Sequence, residues 1–307
     1  MKAAIPIWLD YYDDPDCDLE IAKLLCEISP STIDRLLRPY RRALKGKSST
    51  QPSSYLKNKI PMEILDSKVQ FPGAVQADTV AHCGNSLRGF YANTLTVTDL
   101  FSGWTENRAT WTKTAERVLD QVKDIRRSLP FYVRVFASDN GTEFINSSFV
   151  KYFENNIDPG QSKIAFQRSR PYRKDDQCYV EQKNDTHVRH IFGYDRYDHE
   201  ELLPIMNDIY ENAWNPLQNY FLPNMKLIKK TRIGGKIKKV YDTPKTAYQR
   251  VMGSKHVPEY RKELLKLEKE KLNPIVLQAI LEEKLKIFRR EFHRAKSLAV
   301  EIERKSA

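Results

Sequence analysis

The chain has 307 residues, 40% of them hydrophobic, which is room for about two ordinary domains with buried cores and too apolar for a disordered chain. Its 51 Lys and Arg against 40 Asp and Glu leave a formal net charge of +11, which points to a polyanionic partner, nucleic acid before an anionic membrane surface. No run approaches the roughly 20 apolar residues of a membrane span, and the first residues lack a basic-then-apolar signal pattern, so a soluble protein of the cytoplasm with no membrane partner is expected.

Residues 19–42 predict two short helices. Leu19, Ile21, Leu24, Leu25 and Ile28 recur at helical spacing, after which Ser29 is an N-cap and Pro30 a first helical residue. In the second helix Ile33, Leu36 and Leu37 face a core, Ser31, Thr32, Arg35 and Arg38 stay outside, and Pro39 ends it. The pair reads either as a helix-turn-helix that lays Arg35 and Arg38 on DNA or as an ordinary helical hairpin. The run KGKSSTQPSS is polar, basic and small, the composition of a flexible linker.

From about Gln70 the pattern turns to β-rich alternation. AVQADTVAHC, GFYANTLTVTDL and GWTENRATW predict a three-strand antiparallel meander. A helix follows with Ala115, Val118, Leu119, Val122 and Ile125 on one face, then the apolar strand FYVRVFAS and a helix around Phe149 to Phe153. Such a meander feeding α/β units, with carboxylates at a strand interior and a strand end, is the layout of a ribonuclease-H-like core, a mixed five-stranded sheet with flanking helices. KLIKKTRIGGKIKKVYD predicts a hairpin turning at Gly234-Gly235, with Lys229, Lys230, Arg232, Lys236 and Lys238 on a basic face. Two charged helices beyond Pro258 close the chain, their stripe formed by Leu264, Leu267, Ile280, Leu281, Leu285 and Phe288 and destined for the core or a partner subunit. The expected α/β organisation is a helical segment (1–44), a linker (45–69), the core (70–222), the basic hairpin region (223–257) and the C-terminal helices (258–307).

Three acids carry the chemistry. Asp78 interrupts a strand, Asp139 ends one, and Glu181 sits on a helix stripe with Cys178, Asp185 and Val188, opposite Lys183, His187 and His190. Taken singly, each acid is more often a solvated surface group, and Asp139-Asn140-Gly141 is a good turn in its own right. Taken together, they suit two magnesium ions roughly 3.5–4 Å apart, the requirement for cutting a phosphodiester. The cysteines, Cys17, Cys26, Cys83 and Cys178, form no Cys-x-x-Cys pair and have no His at zinc-finger distance, so they read as small core residues. Trp104 reads as core packing before base stacking.

QADTVAH, SDNGTEF and VEQKNDTHVR, with TVTDLFSGWTE, RSRPYRKDD, NYFLPNMKLIKK and YDTPKTAYQR around them, resemble the catalytic core of DDE transposases of the insertion-sequence type, in the retroviral-integrase superfamily. The resemblance covers about residues 5–255. It implies a magnesium-dependent transposase, with Mn2+ able to substitute, that cleaves 3′ ends and transfers strands of double-stranded DNA as a homo-oligomer. Asp78, Asp139 and Glu181 would hold the metals, Asn140 and Gly141 would shape the turn presenting Asp139, and Glu143 would be a helix-start residue. Lys183 and Arg189 would contact phosphates near the transferred end, and the hairpin and helix pair would hold flanking duplex. The chain departs from the family in the approach to Glu181, where it carries Asp175, Asp176, Gln177, Cys178 and Tyr179. The alternative is a DNA-binding protein derived from a transposase that no longer catalyses.

Overall fold

The three β-rich runs form their meander in the computed structural model of the chain, which describes residues 1–38, 69–157, 163–170, 177–233 and 236–306. Ahead of it stand α1 (Ile5–Leu9), α2 (Leu19–Glu27) and α3 (Pro30–Leu37). Asp18 caps α2 by accepting from the N–H groups of Glu20 and Ile21, and Ser29 caps α3 by accepting from Thr32 N–H, with Pro30 next as expected. The expected core positions are corrected: Ile33 is buried, but Leu19, Leu24 and Leu36 are 84%, 60% and 58% exposed. With nine and eight residues, α2 and α3 are too short to close a core of their own. The linker run and Pro39 lie outside the described residues.

β1 (Ala74–Ala81), β2 (Ala92–Asp99) and β3 (Thr105–Trp111) pair antiparallel, with Asp78 opposite Thr96. After α4 (Ala115–Ser128), β4 (Val135–Ser138) joins β1 in parallel, and after α5 (Ser147–Asn155), β5 (Ala165–Arg168) joins β4 in parallel. The result is an α/β architecture around a mixed five-stranded sheet in the order β3-β2-β1-β4-β5. The strand expected over FYVRVFAS keeps only its last four residues, although Phe131 and Val133 are still buried. Val75, Val97 and Phe136 pack with Val122, Ile125 and Phe153 on one side of the sheet. Strand alternation turns Asp78 to the other.

α6 (Cys178–Lys183) continues through π-helical turns at Asn184–Arg189 into α7 (His190–Phe192). α8 (Leu203–Ile209) and α9 (Asn215–Phe221) are likewise continuous through π-helical turns at Tyr210–Trp214, and they run along the edge strand β3. Open strand edges invite pairing with another chain. Here side-chain amides close the edge. Asn207 accepts from Ala109 N–H at 2.7 Å and donates to its carbonyl at 3.0 Å, Asn219 treats Thr105 the same way at 2.9 and 2.9 Å, and Asn215 donates to the Asn107 carbonyl at 3.4 Å. Asn219→Ala strands two buried backbone groups of Thr105 and should lower the unfolding free energy in urea by about 2–3 kcal/mol. An unchanged midpoint would show that water replaces the amide.

The hairpin forms as expected from β6 (Leu227–Ile233) and β7 (Lys236–Tyr241), a separate two-stranded sheet whose turn lies outside the described residues. Then come α10 (Ala247–Met252), with a complete capping box between Thr246 and Gln249, α11 (Glu259–Glu270) and α12 (Pro274–Ser306). The expected C-terminal stripe is half corrected. In α12, Leu281 and Phe288 are buried, with Ile280 and Leu285 packed beside them, but α11 buries Leu265 and leaves Leu264 and Leu267 more than half exposed. The stripe serves the core: Phe288 stands edge-on to Phe192 and Tyr197 at 5.0 and 5.1 Å. One apolar core thus runs from Ile7 to Phe292. Trp104 belongs to it, and its indole N–H donates to Glu106 at 2.9 Å. Of the cysteines only Cys83 is a core residue, since Cys26 and Cys178 are exposed and Cys17 is half-buried. Among the described residues no helix is long and apolar enough to cross a membrane.

Candidate active site

The parallel register of β1 and β4 pairs Ala77 with Ser138, so the residues that follow, Asp78 on β1 and Asp139 just past the end of β4, stand at the same level of the sheet. α6 brings Glu181 over them. All three line one cavity of about 480 Å³, together with Thr79, Lys113, Glu143, Asn184 and Arg189. The three sequence-predicted acids are therefore gathered at one place.

Each acid on the sheet is oriented by hydrogen bonds. Asp78 Oδ1 accepts from Thr79 N–H at 2.8 Å and its Oδ2 accepts from Asn184 Nδ2 at 2.7 Å. Asp139 Oδ1 accepts from Gly141 N–H at 2.9 Å, the turn that the tripeptide Asp-Asn-Gly favours. Asn140 ties that turn to the end of β5 by donating to the Ser169 carbonyl at 2.9 Å and accepting from Arg168 at 3.2 Å. Glu181 is exposed at the mouth.

Two participants were not expected. Glu143 is not the helix-start residue, because α5 begins at Ser147 under an Asn146 cap. It is 4% exposed and faces the acids, accepting from Thr79 Oγ1 at 3.0 Å and Lys113 Nζ at 3.3 Å. Asn184 reaches Asp78 from one turn beyond Glu181, and its Oδ1 is buried without a hydrogen-bond partner among the described residues. The signals were the four-residue step from Asp139 to Glu143 around a tight turn, and the three-residue step from Glu181 to Asn184 along a helix.

Burial, first, and then the neighbouring Asp139 push the Asp78 carboxyl up to about 7, with Glu143 and Glu181 adding to the repulsion and the Thr79 N–H partly offsetting it. Crowded oxygen donors short of countercharge suit a hard divalent cation. A Cβ on Gly141 would stand 2.4 Å from Glu143 Oε2 and 2.8 Å from Asp139 Oδ1, so the glycine keeps the two acids together. In this conformation no group of three His, Cys, Asp or Glu among the described residues is close enough to hold one ion. Gly141→Ala should displace these flexible side chains without unfolding the protein. We expect Mn2+ affinity by calorimetry to fall at least about tenfold with little change in melting temperature; undiminished affinity would show that the acids do not act together.

The expected phase of α6 is corrected. Val188 is buried as foreseen, but Cys178, Glu181 and Asp185 are exposed, while His187 is buried and Lys183 half-buried. The π-helical turns add a residue per turn and rotate the later positions. Lys183 precedes those turns and, opposite Glu181 as expected, lies on the wall of a different cavity, 3.4 Å from His187 Nε2, and not beside the acids. Burial, with Arg250 nearby, lowers its amine to about 8, and burial holds the His187 imidazole well below its ordinary value. Arg189 does line the acid cavity, but its guanidinium donates to the Gly193 and Ala81 carbonyls and lies 4.8 Å over the Tyr194 ring. Arg35 and Arg38 are exposed on and just after α3, and Lys229, Arg232 and Lys238 are exposed on the hairpin. Lys230 and Lys236 are on its strands, with side chains outside the described residues.

No protein-family model matches the chain. A curated relative from Sinorhizobium fredii (strain NBRC 101917 / NGR234), "Uncharacterized protein y4rM", is 32% identical over 250 residues, a match spanning 80% of this chain and 69% of the relative.

Proposed function

Taking as premise that the chain belongs to the family of the Sinorhizobium fredii protein y4rM, we propose that it is a metal-dependent transposase of the DDE type, cutting DNA 3′ ends and joining them to a target on a ribonuclease-H-like core. The observation that carries this reading is the placement of Asp78 on β1 beside Asp139 at the end of the adjacent parallel strand β4, with Glu181 entering the same cavity from a helix. The sheet order, three antiparallel strands followed by two parallel to the first, agrees with that core.

Asp78 and Asp139 would hold the metal ions and Glu181 would complete the set at the open side. Mg2+, or Mn2+ in its place, would supply Lewis acidity to the scissile phosphate and its nucleophile. Asn184 and the Thr79 N–H fix the direction of the Asp78 carboxylate, and Gly141 N–H fixes Asp139. Glu143, neutralised in part by Lys113, keeps Thr79 in place. The nucleophiles come from outside the chain, water for cleavage and a DNA 3′-hydroxyl for joining, so no covalent link between protein and DNA is required. The exposed cations of the hairpin and α3 would hold the duplex by its phosphates.

The test is a labelled duplex carrying the DNA that flanks the gene, incubated with the full chain and Mg2+ or Mn2+. Cleaved and joined strands that appear only with metal support the reading. Binding without cutting in either metal moves it to a DNA-binding protein without catalysis. Duplex affinity should also fall steeply with salt. Replacing Lys229, Arg232 and Lys238 by Gln should reduce the slope of log K against log salt by about 3, near 0.9 for each phosphate that is no longer neutralised. An unchanged slope would remove the hairpin from the interface.

A further inference from the structure

Behind α6, on the side away from the acids, lies a second cavity of about 480 Å³, within the range of small-molecule pockets. Ile5 and Trp8 of α1 and Leu222 beyond α9 give it apolar walls, and Lys183 of α6 and His187 of the π-helical turns after it face it. Trp8 is held in place by its indole N–H, which donates to the Phe221 carbonyl at 3.3 Å. Among the described residues no Asp or Glu lines this cavity.

Lys183 is therefore a cation in an apolar recess with no carboxylate opposite it there. Its one hydrogen-bond neighbour among the described residues is His187 Nε2 at 3.4 Å, and His187 is itself 2% exposed with Nδ1 lacking a hydrogen-bond partner among them. Arg250, the other cation acting on Lys183, already has an anion in Asp242 at 3.0 Å. A half-buried charge with no counter-ion beside it carries part of the cost of burial, and a ligand of opposite charge removes that cost.

We propose that this cavity binds a small amphipathic monocarboxylate, with the carboxylate on Lys183 and the apolar body against Ile5, Trp8 and Leu222. Lys183, with no Asp or Glu among the described lining residues, matches the single charge of a monocarboxylate. The inference stands independently of the DNA-cutting reading. A bound ligand would nonetheless grip the helix that carries Glu181.

The probes are octanoate, octanol and octylamine, titrated into the full chain by calorimetry. Octanoate should bind at least about tenfold more tightly than either of the others, and Lys183→Met should bring it down to the level of octanol. Equal binding of octanoate and octanol to the native protein, or no binding of octanoate, would overturn the proposal. A second measurement needs no variant. Acetylation by acetic anhydride, followed by mass spectrometry, should be slowed at least about fivefold by octanoate at Lys183, and not at Lys113 in the acid cavity. Equal slowing at both, or at neither, would place octanoate elsewhere.

Discussion

Asp139→Asn is expected to reduce metal-dependent strand cleavage at least about a thousandfold, equivalent to about 4 kcal/mol of barrier, while duplex binding stays within about threefold. The substitution leaves volume and the turn intact, because an Asn Oδ1 can still accept from Gly141 N–H. What it removes is a negative charge beside Asp78, on the neighbouring strand at the same level. The hairpin and α3 lie on other elements and keep their cations, so the losses in cutting and in binding should separate. Cleavage by the variant at the native rate would show that the acid cavity is not where the phosphodiester is cut.

The second large effect concerns pH. The Asp78 carboxyl is raised to about 7 in the folded protein, against about 3.9 for a free aspartate. Between those values the folded chain keeps a proton that the unfolded chain releases. The stability contributed by this group is therefore complete below about pH 4 and lost as pH rises through about 7. Asp78→Asn, which does not titrate, should match the native protein in acid and exceed it above pH 7 by about 2 kcal/mol, since partial exposure screens some of the repulsion. The same proton opposes metal binding. Apparent Mn2+ affinity of the native chain should fall about tenfold for each pH unit below 7. At pH 8, Mn2+ should raise the melting temperature of the native protein and leave that of Asp78→Asn unmoved. Parallel stability curves for the two proteins from pH 4 to 8 would refute the raised pKa.

Local rules were enough for the meander, the Ser29 and Pro30 start, the hairpin and the position of the acids on strand, strand end and helix, because alternation, caps and turn residues are properties of a few neighbouring residues. What escaped them depends on distant partners. Leu265, not Leu264 or Leu267, faces the core because of how α11 lies against it, and both choices fit a helical period. The burial of His187 goes with π-helical turns at Asn184–Arg189 that no spacing rule foresees. Glu143 read as the start of a helix because its real partners, Thr79 and Lys113, lie 64 and 30 residues away in the chain.

The amides of Asn207, Asn215 and Asn219 also give the sheet a direction of growth. With β3 stopped, the outer strand on the other side, unpaired among the described residues, is β5. Any further strand, from a second copy or a bound peptide, has to arrive beside Arg168, whose guanidinium holds Asn140 next to Asp139. Lateral assembly of this sheet and the alignment of its acid turn would then meet at one side chain, so that a chain docking there would be felt directly at Asp139.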